Sequence, residues 1–278
     1  MQLSINNTAL PPGEHAVWWP HLAALGVQGV EICPHAAWGE ATPSAQAIDH
    51  YMQPLRQAGL TVSGLHVELA ATDPGWFDAD PGALLTRLGN LAALCRDVGG
   101  ATLSVGGARW RGALSIPAAW RATRSLLQAL LPQVEAQGVL LCLMPLPPGD
   151  ADFANLAMDC RILADALEHP ALGLAISARA LLETGEIGRH AVFASHYGRL
   201  ELFVADAPGW RPFGEDARVD HAALRRHLSA GGYRGWVCLR QHHHAQQLAD
   251  SLTAFVNCYR RPDNLSLSRH LAAAPSFC

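Results

Sequence analysis

The sequence predicts a single (β/α)8 TIM barrel over residues 1–260, and three observations carry that prediction. Apolar runs rich in β-branched residues alternate with amphipathic stretches of helical length, and they do so eight times. Glycine, proline and aspartate punctuate the joints between them. A chain of 278 residues accommodates one such barrel of about 250 residues and leaves a short tail at 261–278.

In order, Gln2–Ile5 reads as the first strand and Glu14–Leu25 as a helix closed by Gly26. Val27–Cys33 is the second strand, and Ser44–Ala58 is a helix that Gly59 terminates. Leu60–Val67 is the third, followed by a helix over Pro81–Val98 that stops before Gly99-Gly100. Ala101–Val105 is the fourth, Pro117–Gln137 a long helix stopped by Gly138, and Val139–Met144 the fifth, broken by Pro145-Leu-Pro-Pro-Gly149. Asn155–Glu168 is helical, Leu172–Ser177 is the sixth strand, and Leu181–Tyr197 is a helical region interrupted near Gly185 and Gly188. The seventh and eighth strands lie in Arg199–Ala205 and Gly232–Arg240, joined by a helix over Val219–Ala230, and Ala245–Tyr259 forms the last helix. An open doubly wound sheet is the alternative. It lacks support, because no Gly-x-Gly-x-x-Gly follows the first strand and no Gly-Lys-Ser/Thr occurs.

Half of the residues are hydrophobic and 16% are charged, which is ample material for one core and gives no sign of disorder. A formal charge of −4 argues against nucleic acid as a partner. Seven cysteines in an odd, unpaired pattern without CxxC read as reduced core residues and place the protein in the cytoplasm. No signal peptide opens the chain, and no run of about 18 apolar residues suits a bilayer.

Five fragments carry a family resemblance: Gly26-Val-Gln-Gly-Val-Glu31, Leu65-His66, Gly138-Val-Leu-Leu-Cys-Leu143, Ala205-Asp206-Ala-Pro-Gly209 and Gly232-Tyr-Arg-Gly-Trp236. In that order and spacing the chain resembles the xylose isomerase-like barrels, which include sugar phosphate isomerases and epimerases. The resemblance implies a divalent metal held by Glu, Asp, His and Glu at the carboxyl ends of strands five to eight. Here Met144, Ser177, Phe203 and Arg240 stand at those positions, and Ala180 replaces a further histidine. A hard cation needs oxygen or nitrogen donors with compensating charge, and this set supplies no carboxylate and one permanent cation. The expectation is therefore a barrel without the family metal and without another cofactor. His66, Glu68, Glu201 and His242–His244 are the residues from which a relocated site would have to be built.

Several side chains are candidates for the site. His66 and Glu31 resemble family positions near substrate, and an imidazole suits proton transfer near neutral pH. Strand alternation puts Glu201 on the face of Phe203, where it serves as a catalytic acid/base or as an internal partner of Arg240. Arg240 either holds an anionic substrate or pairs internally, and Arg109 and Arg179 join it from neighbouring loops. Asp206 opens a turn, where its carboxylate caps backbone amides or, as the lesser alternative, touches a ligand. Trp38 and Trp210, with Trp76 and Trp110, rim the barrel mouth as candidate substrate contacts.

These readings lead to a proton-transfer enzyme, an isomerase, epimerase or lyase, acting on a small anionic or carbonyl-bearing substrate. The rival is a catalytically silent barrel kept as a binding subunit, in a homo-oligomer or with another protein. An open polar pocket at the mouth separates the first from a mouth plugged by Met144 and Phe203.

Overall fold

The computed structural model describes residues 1–39, 42–70, 73, 75–78, 80–107, 109–196, 198–243 and 247–260. The expected tail at 261–278 and His244 lie outside them. Eight parallel strands close into one barrel in sequence order: β1 (Gln2–Asn6), β2 (Gly29–Ile32), β3 (Thr61–Leu69), β4 (Thr102–Gly107), β5 (Leu140–Leu143), β6 (Leu172–Ser177), β7 (Leu200–Ala205) and β8 (Trp236–Leu239). Closure comes from β1 pairing with β8, with Leu3 opposite Val237 and Ile5 opposite Leu239.

Among the described residues, ten helices cover the outside: α1 (His15–Leu25), α2 (Pro34–Trp38), α3 (Ala45–Gln57), α4 (Gly82–Asp97), α5 (Ile116–Ala136), α6 (Ala157–Leu167), α7 (Ala178–Glu183), α8 (His190–His196), α9 (His221–Ala230) and α10 (Leu248–Arg260). Local chemistry starts and stops them. The side chains of Ser44, Ser115 and Asp220 each accept a backbone N–H of the first turn in α3, α5 and α9. Gly26 ends α1 in the left-handed region at φ 93°. The short α2 was not expected from the sequence; Pro34 starts it and Gly39 ends it within two turns.

The barrel interior is chemically divided. Ser4, Asn6, Glu31, His66 and Ser104 on β1–β4 are all buried polar residues. Cys142, Met144, Ala175, Leu202, Val204 and Cys238, from the β5–β8 side, form an apolar cluster separate from the main core between sheet and helices. Below the mouth, polar side chains thus gather on the β1–β4 half of the interior and apolar ones on the other.

Packing between β3 and β4 leaves no room for a side chain at Gly64, whose added β-carbon would run into the hydroxyl and carbonyl of Thr102. Gly64→Ala should therefore lower unfolding free energy by about 2 kcal/mol, as overpacking does, in urea denaturation.

Candidate functional site

The strands end in loops around a cavity of about 320 Å³ at the carboxyl end of the barrel. Arg240, just past β8, reaches it from beneath. Its Nε and Nη2 donate to the two oxygens of Glu31 at 2.6 Å each, a bidentate pair whose members are 2% and 1% exposed. Nη2 also donates to Ser104 Oγ at 2.7 Å, and Asn6 Nδ2 donates to Glu31 Oε2 at 2.7 Å. Nη1 has only long contacts, 3.5 Å to His66 Nε2 and 4.0 Å to Met144 Sδ. The guanidinium charge is matched, while its Nη1 hydrogens remain available to an oxygen in the cavity.

His66 connects this pair to the mouth. Its Nε2 lies 2.6 Å from Glu68 Oε1, and its Nδ1 lies 2.9 Å from Ser104 Oγ. Burial alone would raise the Glu68 carboxyl. The charge and hydrogen bond of His66, with Arg240 and Arg179 farther off, outweigh burial and hold it below its usual value. An ionised Glu68 only accepts, so His66 donates from Nε2. Ser104 Oγ, which accepts from Arg240, is also the partner of Nδ1. One chain of hydrogen bonds thus links Arg240, Ser104, His66 and Glu68. Ser104 is fully buried and has no approach to a substrate carbon, which removes a serine-nucleophile reading.

Glu68, which the sequence reading weighed only as a ligand of a relocated metal site, joins the candidate acid/base residues. Its side chain is 44% exposed and lines the cavity. The signal lay in its spacing: β3 runs on to Leu69, so His66 and Glu68 fall on one face of the strand two residues apart. Gly106 on β4 leaves space for it, because the Glu68 carboxyl carbon lies 2.8 Å from where a β-carbon would stand.

The outer rim centres on Arg179 in α7, which ties the loops after β5 and β7. Its Nη1 pairs with Asp150 Oδ2 at 3.0 Å, its Nε with Glu183 Oε1 at 2.9 Å, and its guanidinium lies 5.3 Å from the ring centre of Trp210. Trp210 stacks on His242 with ring centres 5.8 Å apart and has a backbone φ of 53°, unusual for so bulky a residue. Arg179, Trp210, Asp150, Trp110 and His242 all line the cavity.

Four expectations change. Glu201 does not meet Arg240: a register shift opposite β6 breaks strand alternation, and Glu201 lies with Leu140 and Gly173 at the amino-terminal ends of the strands. Burial raises its carboxyl there. Phe203 turns outward, packing on Phe193 and Tyr259, and does not plug the mouth. Arg109 is a buried loop tie and not a substrate contact. It donates to the carbonyls of Phe153, Met144 and Ala154 at 3.1, 3.3 and 2.9 Å. Trp38 packs on Tyr51 and donates to Ala47 O, away from the cavity.

Asp206 caps a backbone amide, but across the mouth and not in its own turn: it accepts from Ser177 Oγ and Arg179 N at the start of α7. Burial nevertheless raises its carboxyl.

The donors at the carboxyl ends of β5–β8 do not fit a divalent metal. A thioether (Met144), a hydroxyl already bound to Asp206 (Ser177), a hydrocarbon (Val204) and a guanidinium (Arg240) face inward there. Among the described residues, no group of three or more His, Cys, Asp or Glu is placed to hold a metal ion. No described helix is long and apolar enough to cross a membrane.

The Glu31–Arg240 pair also sets an acid limit. Burial would raise the Glu31 carboxyl, but Arg240, helped by His66 and Asn6, lowers it to about 2. A depressed folded-state value adds stability above the unfolded value of about 4.3, and that stability is lost as pH falls toward 2. Thermal melts should therefore be level near neutrality and fall progressively below about pH 4.

The family described as xylose isomerase-like TIM barrel matches residues 19–258. Among solved structures, D-psicose 3-epimerase from Clostridium cellulolyticum H10, crystallised with D-tagatose, superposes with a TM-score of 0.80 at 12% identity, over 94% of this chain and 98% of that one. A 3-keto-D-glucoside 4-epimerase from E. coli gives 0.76 at 16% identity, over 94% and 99%. An L-ribulose 3-epimerase gives 0.75 at 16% identity, over all of both chains. No curated protein matches the sequence. At these identities the likeness carries the fold alone.

Proposed function

Because the chain belongs to the xylose isomerase-like TIM barrel family, we propose that it moves a proton at a carbon beside a carbonyl, as an isomerase, epimerase or lyase, without the family metal. The substrate is a small anionic or carbonyl-bearing molecule. The observation that supports this reading most is the His66–Glu68 dyad, joined at 2.6 Å and opening into the cavity beside the Nη1 edge of Arg240.

In this reading Glu68 takes the proton, and the electron pair of the broken C–H bond moves onto the carbonyl oxygen. Arg240 Nη1 donates to that oxygen as negative charge develops on it. His66 fixes the Glu68 carboxylate in one orientation, and the buried Glu31–Arg240–Ser104 set keeps the donor edge from moving. Delivery of a proton to the opposite face of the same carbon, by a second acid, gives epimerisation; delivery to the adjacent carbon, with a proton passed between the two oxygens, gives isomerisation; loss of a β-substituent gives a lyase.

The silent-barrel reading has one observation in its favour. Arg240 is 2% exposed and its charge is matched by Glu31, as in a purely structural pair.

Incubation of chelator-dialysed protein with a panel of ketoses, aldoses and keto acids in D2O separates these readings. Loss of the C–H signal beside the carbonyl by NMR is expected for at least one substrate. Exchange that appears only after a divalent ion is added would end the metal-independent reading. Its absence across the panel, with and without metal, would leave the silent barrel.

A further inference from the structure

The cavity contains two arginines, and neither has charge to spare. Arg240 is held bidentately by Glu31, and Arg179 is shared between Asp150 and Glu183. Glu68 adds another carboxylate at the mouth, kept ionised by its neighbours. Among the described residues, each guanidinium beside the cavity is thus matched by carboxylate, Arg240 by Glu31 and Arg179 by Asp150 and Glu183, while Glu68 faces His66.

A phosphate or carboxylate entering such a site meets, among the described residues, guanidinia that are already paired and the like charge of Glu68 and Asp150. Hydrogen-bonding capacity, however, remains. A guanidinium has five N–H groups. Arg179 directs three toward its carboxylates, and Arg240 leaves Nη1 with only long contacts. Donors without net charge suit hydroxyl and carbonyl oxygens.

The Trp210 backbone supplies an independent observation. A bulky residue at φ 53° costs on the order of 1–3 kcal/mol, and such strain persists where the surroundings over-determine it. Arg179 and His242 flank its ring, and its carbonyl accepts from His242 N at 2.9 Å. The strained residue presents an aromatic wall to the cavity next to the matched Arg179.

We propose that the Arg179–Asp150–Glu183 cluster is an anion-excluding filter, and that with the Trp210 wall it selects an uncharged, polyhydroxylated carbonyl compound over its phosphorylated or carboxylated counterpart. This rests on the function proposed above and decides between the two substrate classes left open there. Asp150 and Glu183 are specificity determinants: each cancels the charge that would otherwise make Arg179 an anion receptor.

The test is equilibrium binding, which needs no turnover. Intrinsic tryptophan fluorescence and calorimetry would follow inorganic phosphate, D-fructose 6-phosphate and D-fructose with the wild type, with Asp150→Asn, with Glu183→Gln and with the double variant. Thermal melts would establish that each is folded. Inorganic phosphate should leave the wild type unchanged at millimolar concentration, and the double variant should bind it on the order of tenfold or more tightly. Loss of the gain when Arg179→Gln is added would place the new site at Arg179. Phosphate or the sugar phosphate binding the wild type more tightly than D-fructose would overturn the filter, as would a folded double variant that gains nothing. Turnover of a sugar phosphate in D2O would overturn the filter while the proton-transfer reading stood. Absence of exchange with every substrate would remove that reading and leave the phosphate comparison to decide the filter.

Discussion

Glu31→Gln should lower unfolding free energy by about 3–5 kcal/mol, because it leaves the Arg240 guanidinium charged, buried and without its carboxylate. For a domain of this size the melting temperature should drop by roughly 10 °C. Arg240→Met should cost a similar amount for the mirror-image reason, with Glu31 left uncompensated. The double change Glu31→Met with Arg240→Met exchanges the pair for hydrocarbon and should recover most of the loss, since the neighbouring Met144, Leu202 and Val204 are already apolar. Urea and thermal unfolding of the four proteins measure this. Additive losses in the double variant would mean that the two residues stabilise the barrel separately.

Glu68→Gln should reduce proton exchange beside the substrate carbonyl by about 10²–10⁴-fold, the usual contribution of a positioned acid/base, while shifting the melting temperature little. The small stability effect follows from a side chain that is 44% exposed. Glutamine keeps the shape and the hydrogen bond to His66 but cannot take a proton. Because neighbouring cations hold the Glu68 carboxyl below its usual value, the acid limb of the rate should also lie below the ordinary carboxylate range. Glu201→Gln, at the far end of the barrel, is the control and should leave exchange unchanged. A Glu68→Gln protein that exchanges within threefold of wild type, or a rate that follows Glu201 instead, would show the base to be misplaced.

The barrel was legible because its signals are local and repeated. Gly26, Gly59 and Gly138 punctuate helices in the sequence, and the structure turns the chain at each of them. Leu172–Ser177 was read with the boundaries the structure shows. Which side chains share the mouth depends on register, and register was only partly legible. His66, Arg240 and Arg179 came to the cavity as strand-end positions should. Glu201 did not, because one irregular pairing between β6 and β7 is invisible in an alternating run such as Leu200-Glu-Leu-Phe-Val204. Arg109 was misjudged for another reason: nothing local announces that a loop arginine will be buried to satisfy carbonyls more than 30 residues away. Asp150 was passed over within a proline-rich break, since its importance appears only once Arg179 is seen beside it.

The buried Glu31–Arg240 pair has a consequence for sequence change. Building a metal cage into this chain would require carboxylates or imidazoles at several strand ends together with removal of Arg240. The step that removes Arg240 alone strands Glu31, at a cost comparable to a large part of a domain's 5–15 kcal/mol of stability. The two residues are therefore bound to change together: a substitution at an exposed rim position such as Trp110 leaves the pair intact, whereas a chain that gives up Arg240 keeps its stability only by giving up Glu31 as well.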